Sequence, residues 1–128
     1  MSYLFDTHTY LWLRDSPRRL PQKVLNLLSD TTQQGLISLV TPWEIAIKTG
    51  AGKLNGAPLL INFEQRETAV GFSIAGVTVA QAIASGLLPR HHRDPFDRLL
   101  IAQAFDLGIP ILSSDRTFDL YGVPRIWN

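Results

Sequence analysis

Four acidic side chains occupy positions from which they could act together. Asp6 directly follows a short apolar run, and Asp115 lies three residues beyond the run that ends at Leu112. Glu44 lies four residues past a third apolar run, and Asp97 lies near the start of an apolar helical pattern. Carboxylates that converge repel one another by roughly 1–4 kcal/mol per close pair, and divalent cations relieve that repulsion. Oxygen ligands of this kind suit Mg²⁺ or Mn²⁺, and such ions support the hydrolysis of phosphodiesters.

The elements that would position these acids alternate short apolar runs with longer helical patterns, which is typical of an α/β domain with a parallel sheet. We predict strands at residues 3–5, 36–40, 72–75, 109–112 and 123–127. We predict helices at residues 20–33, 41–49, 58–70, 78–86 and 94–107, and a turn with a short helix at 113–121. Ligands of open parallel sheets bind at the carboxyl ends of the strands, near the point where the strand order reverses. The acids that follow strands, together with Asp97, would therefore meet at one edge of a single doubly wound sheet.

Each acid also has a purely structural explanation. In residues 41–44 and 94–97 an acid stands three positions after a helix-capping residue, as in a capping box in the first turn of a helix. Asp115 would cap a turn. Asp6 is harder to explain without a function, because a carboxylate directly after a buried strand is costly unless something binds it.

Bulk composition excludes several classes of function. A chain of 128 residues predicts one domain, covering residues 1–128. The absence of cysteine excludes disulfides, thiolate zinc sites and thiol catalysis. The N-terminus has no signal-peptide pattern and no apolar run reaches the roughly twenty residues that span a bilayer, so we expect a cytoplasmic protein. Because the net charge is only +1, any contact with nucleic acid must come from local basic clusters.

Several segments together have the pattern of a known family. They are residues 3–8 (YLFDTH), 43–48 (WEIAIK) with 52–54 (GKL), 88–104 (LPRHHRDPFDRLLIAQA) and 113–118 (SSDRTF). These segments closely resemble the PIN-domain toxins of VapC type, and HHRDPFDR is the most specific of them. The resemblance runs over essentially the whole chain. It implies a three-layer α/β/α fold whose parallel five-stranded sheet has the order 3-2-1-4-5.

The resemblance also implies an activity, a cofactor and partners. It implies an endoribonuclease that depends on Mg²⁺ or Mn²⁺ and cuts tRNA, rRNA or mRNA. It implies a small protein antitoxin that occludes the cleft, and homodimers are common in the family. The family's acidic residues correspond to four positions of this sequence: Asp6, Glu44, Asp97 and Asp115. Ser113 corresponds to the hydroxyl residue beside the last acid, and Asp94 lies close as a supporting carboxylate.

Roles can be assigned to these acids as a hypothesis. We expect Asp6 and Asp97 to be the main metal ligands, and Glu44 to hold or orient a water molecule. Asp115 would complete the outer side of the site, and Ser113 would hydrogen-bond a neighbouring carboxylate. Spacing alone leaves open whether Asp94 or Asp97 faces the metal, and only the resemblance favours Asp97.

Basic side chains near the acids are candidates for contacts with RNA. Arg93 and Arg98 would guide the RNA backbone, since phosphate contacts position a strand without reading its sequence. His92 and Lys48 are further candidates. Lys48 has the spacing of an i,i+4 ion pair with Glu44 as well. Adjacent histidines rarely share one metal, so His92 is not predicted to be a ligand.

Two other function classes remain open at this stage. In a non-catalytic binding module the same fold would act through its surface or a dimer interface, which apolar residues near Pro21 and Pro58 would supply. A phosphatase of the haloacid dehalogenase type also has an aspartate after its first strand. That family has a second aspartate two residues later, where this sequence has His8.

Overall fold

Five short parallel strands form the centre of the computed structural model, which describes residues 1–128. The strands are β1 (Ser2–Phe5), β2 (Gln34–Ser38), β3 (Ser73–Ala75), β4 (Ile111–Leu112) and β5 (Arg125–Ile126). Their order in the sheet is β3-β2-β1-β4-β5. The predicted fold class and strand order are therefore confirmed.

Seven α-helices cover the two faces of this sheet. They are α1 (Thr7–Asp15), α2 (Gln22–Ser29), α3 (Val40–Gly50), α4 (Ala57–Leu60), α5 (Phe63–Ala69), α6 (Val79–Leu87) and α7 (Pro95–Leu107). Short 3₁₀ helices follow at Pro17–Arg19 and Arg116–Tyr121. Helix α6 begins with a capping box, because the Thr78 hydroxyl accepts the Gln81 amide hydrogen and the Gln81 side chain accepts the Thr78 amide hydrogen. Gly108, with a φ of 65°, ends α7 in the left-handed conformation that suits glycine.

The core has two halves because alternate residues of β1 point to opposite faces of the sheet. Tyr3 and Phe5 lie in one apolar cluster with residues of α1, α2, α3 and α5. Leu4 lies in the other cluster with residues of α7 and the 3₁₀ helix Arg116–Tyr121. Burial on both faces explains why the strands are nearly continuous apolar runs.

The edge of the sheet where we predicted the acids lies where the chain leaves β1 and β4. These two strands are neighbours, with Leu4 paired to Ile111 and Phe5 paired to Leu112. The strand order reverses between them, since β1 continues to β2 on its other side. Asp6 follows β1, and its amide hydrogen bonds to the Leu112 carbonyl oxygen at 3.1 Å. Ser113 follows β4, so the two residues emerge side by side.

The start of α3 differs from the prediction. We expected a strand at 36–40 and a helix capped by Thr41, whereas β2 ends at Ser38 and α3 begins at Val40. The Ser38 hydroxyl accepts the Val40 amide hydrogen, and the Thr41 hydroxyl is buried against that of Thr7 at 3.1 Å. Thr41 is therefore no cap, and Glu44 lies in the second helical turn instead of the first.

Other boundaries were also wrong. The predicted helix at 58–70 is two helices, because Asn62 has a φ of 50° and separates α4 from α5. Helix α1 was not predicted at all. The helix expected at 20–33 spans only Gln22–Ser29, and Pro21 is its N-cap. The last strand is shorter than the predicted 123–127. No helix of the structure combines the length and apolar character needed to cross a membrane.

Candidate metal centre

Asp6 enters the site directly from β1. It occupies the N-cap position of α1, yet its side chain makes no capping bond and is almost fully buried. One carboxylate oxygen, Oδ2, accepts the Ser113 hydroxyl at 2.7 Å. The other oxygen, Oδ1, is buried and has no hydrogen-bond partner. A buried carboxylate oxygen without a partner is costly, and a cation would satisfy it.

Glu44 presents a second oxygen of the same kind. Its side chain is buried, and Oε2 accepts a hydrogen bond from Lys48 Nζ at 2.6 Å. Its Oε1 atom is buried without any partner. The predicted i,i+4 pair of Lys48 and Glu44 is present, yet it satisfies only one of the two carboxylate oxygens.

Asp97 lies in the first turn of α7, as predicted, but it does not cap the helix. Asp94 has that role, since its Oδ1 accepts the Phe96 amide hydrogen at 2.9 Å. The Asp97 carboxylate instead lies against His92, with Oδ2 2.9 Å from the ring nitrogen Nε2. The structure therefore separates two acids that sequence spacing could not: Asp94 caps the helix and Asp97 faces the site.

The two carboxylate oxygens of Asp115 have different partners: one caps a helix, and the other lies against His92. Its Oδ1 accepts the Thr117 amide hydrogen at 2.9 Å and caps the 3₁₀ helix, which confirms the structural explanation for one oxygen. Its Oδ2 lies 3.1 Å from His92 Nε2. The ring nitrogen of His92 and one carboxylate oxygen each of Asp97 and Asp115, atoms of the types that can bind a metal, lie within 4.8 Å of one another.

The four acids interact electrostatically. Burial first, and then the charges of Asp6, Asp94, Glu44 and Asp115, raise the pKa of Asp97 to about 8. Burial also raises the pKa of Asp6; the Ser113 hydrogen bond opposes that rise, while Glu44 and Asp115 add to it. Burial acts in the same direction on Asp115, but hydrogen bonds from Thr117 and His92 outweigh it and lower its pKa. Divalent cations would restore the charged form of the raised carboxylates.

The donor set fits a hard divalent cation. It offers carboxylate oxygens, two of which are buried and unpartnered, and no thiolate. Oxygen ligands of this type suit Mg²⁺ and Mn²⁺. The structure thus brings together the four acids that the sequence predicted.

Ser113 is expected to hold Asp6 and Asp115 in position relative to each other. Its buried hydroxyl donates to Asp6 Oδ2 and accepts the Asp115 amide hydrogen at 2.9 Å. Because Ser113→Ala leaves both partners unsatisfied, we expect the free energy of unfolding to fall by about 1–3 kcal/mol. Urea denaturation measures this loss. Ser114→Ala is the matched control, since Ser114 is exposed, and an equal loss in both variants would contradict the assigned role of Ser113.

The two predicted arginines differ in their hydrogen bonds and in their exposure to solvent. Arg98 donates hydrogen bonds to backbone carbonyls of residues 86–92, including Leu88 and Pro89 at 2.9 Å, so it holds this loop in place. Arg93 is exposed. Both arginines line a cleft of about 540 Å³ with Gly86, Arg90 and His92, and of these residues His92 contacts Asp97 and Asp115. The contacts by which Arg98 fixes the loop could not be predicted from the sequence, because they depend on how α6 and α7 pack.

The fold and the acidic edge of the sheet define a class of PIN-like α/β domains. The family model of the PIN domain matches residues 3–123, so the chain belongs to the PIN domain family. The resemblance found in the sequence is thereby confirmed. A comparison with curated proteins gives no significant sequence match.

Solved structures with the same fold include chains from VapBC complexes. One is from VapBC2 of Rickettsia felis bound to a DNA fragment from their promoter, with 14% identity, a TM-score of 0.71 and 100% of each chain covered. A second is from DNA-bound VapBC of Salmonella typhimurium, with 16% identity, a TM-score of 0.73, and 98% of this chain and 97% of that chain covered. A third is from VapBC-1 of nontypeable Haemophilus influenzae, with 16% identity, a TM-score of 0.70, and the same shares covered.

Proposed function

We propose that residues 1–128 form a single nuclease domain, an endoribonuclease that depends on Mg²⁺ or Mn²⁺ and hydrolyses RNA phosphodiester bonds. The observation that carries the proposal is the pair of buried, unpartnered oxygens, Asp6 Oδ1 and Glu44 Oε1, in a cluster of four carboxylates. Membership of the PIN domain family supports it, because proteins of this family are typically nucleases.

Each acid has a role in this proposal. Asp6 and Asp97 bind the cation, since both are largely buried and both have raised pKa values without it. Glu44 orients the attacking water through its free oxygen, and Asp115 completes the outer side of the site. When bound, the cation lowers the pKa of water and stabilises the charge that develops on the phosphate. Ser113 keeps Asp6 aligned through its hydrogen bond.

The RNA contacts are also part of the proposal. Arg93 is exposed in the cleft that it shares with His92, whereas the guanidinium of Arg98 is bonded to backbone carbonyls, so Arg93 is the better placed of the two to contact a phosphate. Arg98 contributes by holding the loop that carries Arg93 and His92. Lys48 pairs with Glu44 and lies at the rim of the same site, where Asp94 and Asp97 also raise its pKa after the Glu44 hydrogen bond does so.

We further propose that the chain is the toxin of a type II toxin–antitoxin pair and acts in the cytoplasm. The likeness of its fold to chains of VapBC complexes supports a protein antitoxin as partner. A homodimer fits the apolar side chains that remain exposed. They include Ile61, near the predicted surface at Pro58, and a row on α6 that was not predicted, formed by Val79, Ile83 and Leu87.

Cleavage of RNA tests the proposal directly. The purified chain is incubated with total RNA in Mn²⁺, in Mg²⁺ and in a chelator, and the new RNA ends are sequenced. We expect defined new ends only with a cation, and none with Glu44→Gln. Cation binding without any new ends would contradict the nuclease and favour a non-catalytic binding module. Hydrolysis of small phosphomonoesters but not of RNA would favour a phosphatase.

A further inference from the structure

Contacts of both the backbone and the ring hold His92 in position. Its amide hydrogen bonds to the Tyr121 hydroxyl at 2.7 Å, and its carbonyl oxygen accepts a hydrogen bond from Arg98 at 3.3 Å. Its ring stacks on the buried ring of Phe118, with centroids 5.9 Å apart and planes 25° apart. The imidazole therefore lies in one defined place, between the carboxylates of Asp97 and Asp115.

The hydrogen bonds of this ring define its tautomer. Nδ1 lies 3.2 Å from the Asp94 amide nitrogen and accepts the hydrogen of that amide, so Nδ1 presents a lone pair. A ring with a lone pair on Nδ1 is neutral and carries its proton on Nε2. The Nε2–H group then donates to Asp115 Oδ2 at 3.1 Å, with Asp97 Oδ2 2.9 Å from the same nitrogen.

We propose that His92 is a positioning residue of the metal centre: its Nε2–H group holds Asp115 beside Asp97, and it is not a metal ligand. This inference rests on the proposed function, since it assumes that the acids bind a divalent cation. It differs from the expectation that His92 contacts RNA.

The alternative, in which His92 ligates the metal, conflicts with the hydrogen bond that the Asp94 amide donates to the ring. A metal-binding nitrogen must offer a lone pair, so Nε2 would have to give up its proton. In the neutral ring that proton would then lie on Nδ1, where it would point at the Asp94 amide hydrogen. The amide that fixes the ring therefore also keeps the proton on Nε2. Hydrogen-bonded neighbours of this kind hold carboxylate ligands in place, and their loss typically costs about 10–100-fold in metal affinity.

His91 provides a matched comparison within the same loop. It is exposed, and its ring packs against that of Tyr121, with centroids 5.0 Å apart and planes 74° apart. The two histidines look equivalent in the sequence, but only His92 reaches the acids. His91→Phe preserves the ring contact with Tyr121 and leaves the acids untouched, so it is the control.

Calorimetric titration with Mn²⁺ tests the inference. His92→Phe retains the ring on Phe118 but loses both nitrogens, and we expect its affinity for Mn²⁺ to fall by about 10–100-fold. His92→Gln retains an N–H donor and should bind within a few-fold of the wild type. His91→Phe should bind as the wild type does. Equal affinity of His92→Phe and the wild type would overturn the inference, whereas a wild type that binds no Mn²⁺ would overturn the proposed metal centre with it.

Spectroscopy on the wild-type chain separates a positioning residue from a ligand, and it does not require that the variants fold. Nitrogen-15 NMR of histidine-labelled protein should show His92 as the Nε2–H tautomer, both without metal and with Mg²⁺. Pulsed EPR of bound Mn²⁺ should show no directly bonded nitrogen. A directly bonded nitrogen, or the Nδ1–H tautomer, would overturn the inference while leaving the metal centre intact.

Discussion

Replacing Asp97 with asparagine is expected to abolish RNA cleavage and, in the absence of metal, to stabilise the fold. The loss of cleavage should be at least about a hundredfold, because losing a mere hydrogen-bonding neighbour of a metal ligand already costs about 10–100-fold. The gain in stability follows from the crowding of this carboxylate by burial and by four other acids, which raises its pKa to about 8. Asparagine has a similar shape and carries no charge.

The raised pKa of Asp97 determines how the stability of the fold changes with pH. The folded chain holds the Asp97 proton up to a pH of about 8, whereas the unfolded chain releases it near the ordinary value of 3.8. Between these values the folded state binds more protons, so the contribution of Asp97 to the free energy of unfolding falls as the pH rises. Asp97→Asn removes that contribution. In a chelator at pH 8 we expect the variant to be more stable than the wild type by at least about 1 kcal/mol, with a shallower dependence on pH.

Urea denaturation at several pH values between 4 and 8, in a chelator, measures the effect. Asp15→Asn is the matched control, because Asp15 is an exposed aspartate of α1 outside the acidic cluster. Its stability curve should follow that of the wild type. If Asp97→Asn were less stable than the wild type at pH 8, the carboxylates would not be crowded in the way the structure shows.

Replacing Glu67 with alanine should cause a large loss of stability. Glu67 has no exposed surface, and its carboxylate accepts hydrogen bonds from the Tyr10 hydroxyl, at 2.5 Å, and from the Arg14 guanidinium. Arg66 lies 3.5 Å away. Burial alone would raise the pKa of Glu67, but the hydrogen bonds from Arg14 and Tyr10 hold it below its ordinary value. The network ties α1 to α5 across 57 residues of sequence.

Removing one partner of a buried ion pair leaves the other partners without compensation. That loss is typically about 3–5 kcal/mol, and we expect about 2–4 kcal/mol here because Arg14 and Arg66 retain some contact with water. Urea denaturation of Glu67→Ala measures it. Glu64→Ala is the control on the same helix; Glu64 is exposed, so its loss should stay within about 0.5 kcal/mol. Similar losses in the two variants would show that the network does not join α1 to α5.

The sequence predicted the parts of the site that depend on local placement. Asp6 and Asp115 follow strands, and parallel strands that are neighbours must deliver such residues to one edge. Asp97 was predicted at the start of its helix, where it lies. Even the error at Glu44 was small, because a helix that begins two residues earlier still directs this side chain towards the same edge.

The sequence could not predict the parts that depend on tertiary packing. His92 reaches the acids because Arg98 of α7 and Tyr121 of the second 3₁₀ helix fix its loop, and those contacts form only when these two helices pack against the loop that follows α6. The hydrogen bonds of Glu67 with Tyr10 and Arg14 could not be predicted either, because they form only when α1 and α5 pack together. Helix α1 was missed because the β-branched residues Thr7 and Thr9 open it, and their burial comes from contacts with distant elements.

The proposed nuclease activity depends most directly on whether a divalent cation binds between the four acids. Anomalous diffraction from crystals of the chain grown with Mn²⁺ would locate the ion without any assumption about RNA. The structure predicts a peak in contact with the carboxylates of Asp6 and Asp97, near the unpartnered oxygen of Glu44. A map with Mn²⁺ bound elsewhere, or with no peak among these acids at millimolar Mn²⁺, would contradict the account.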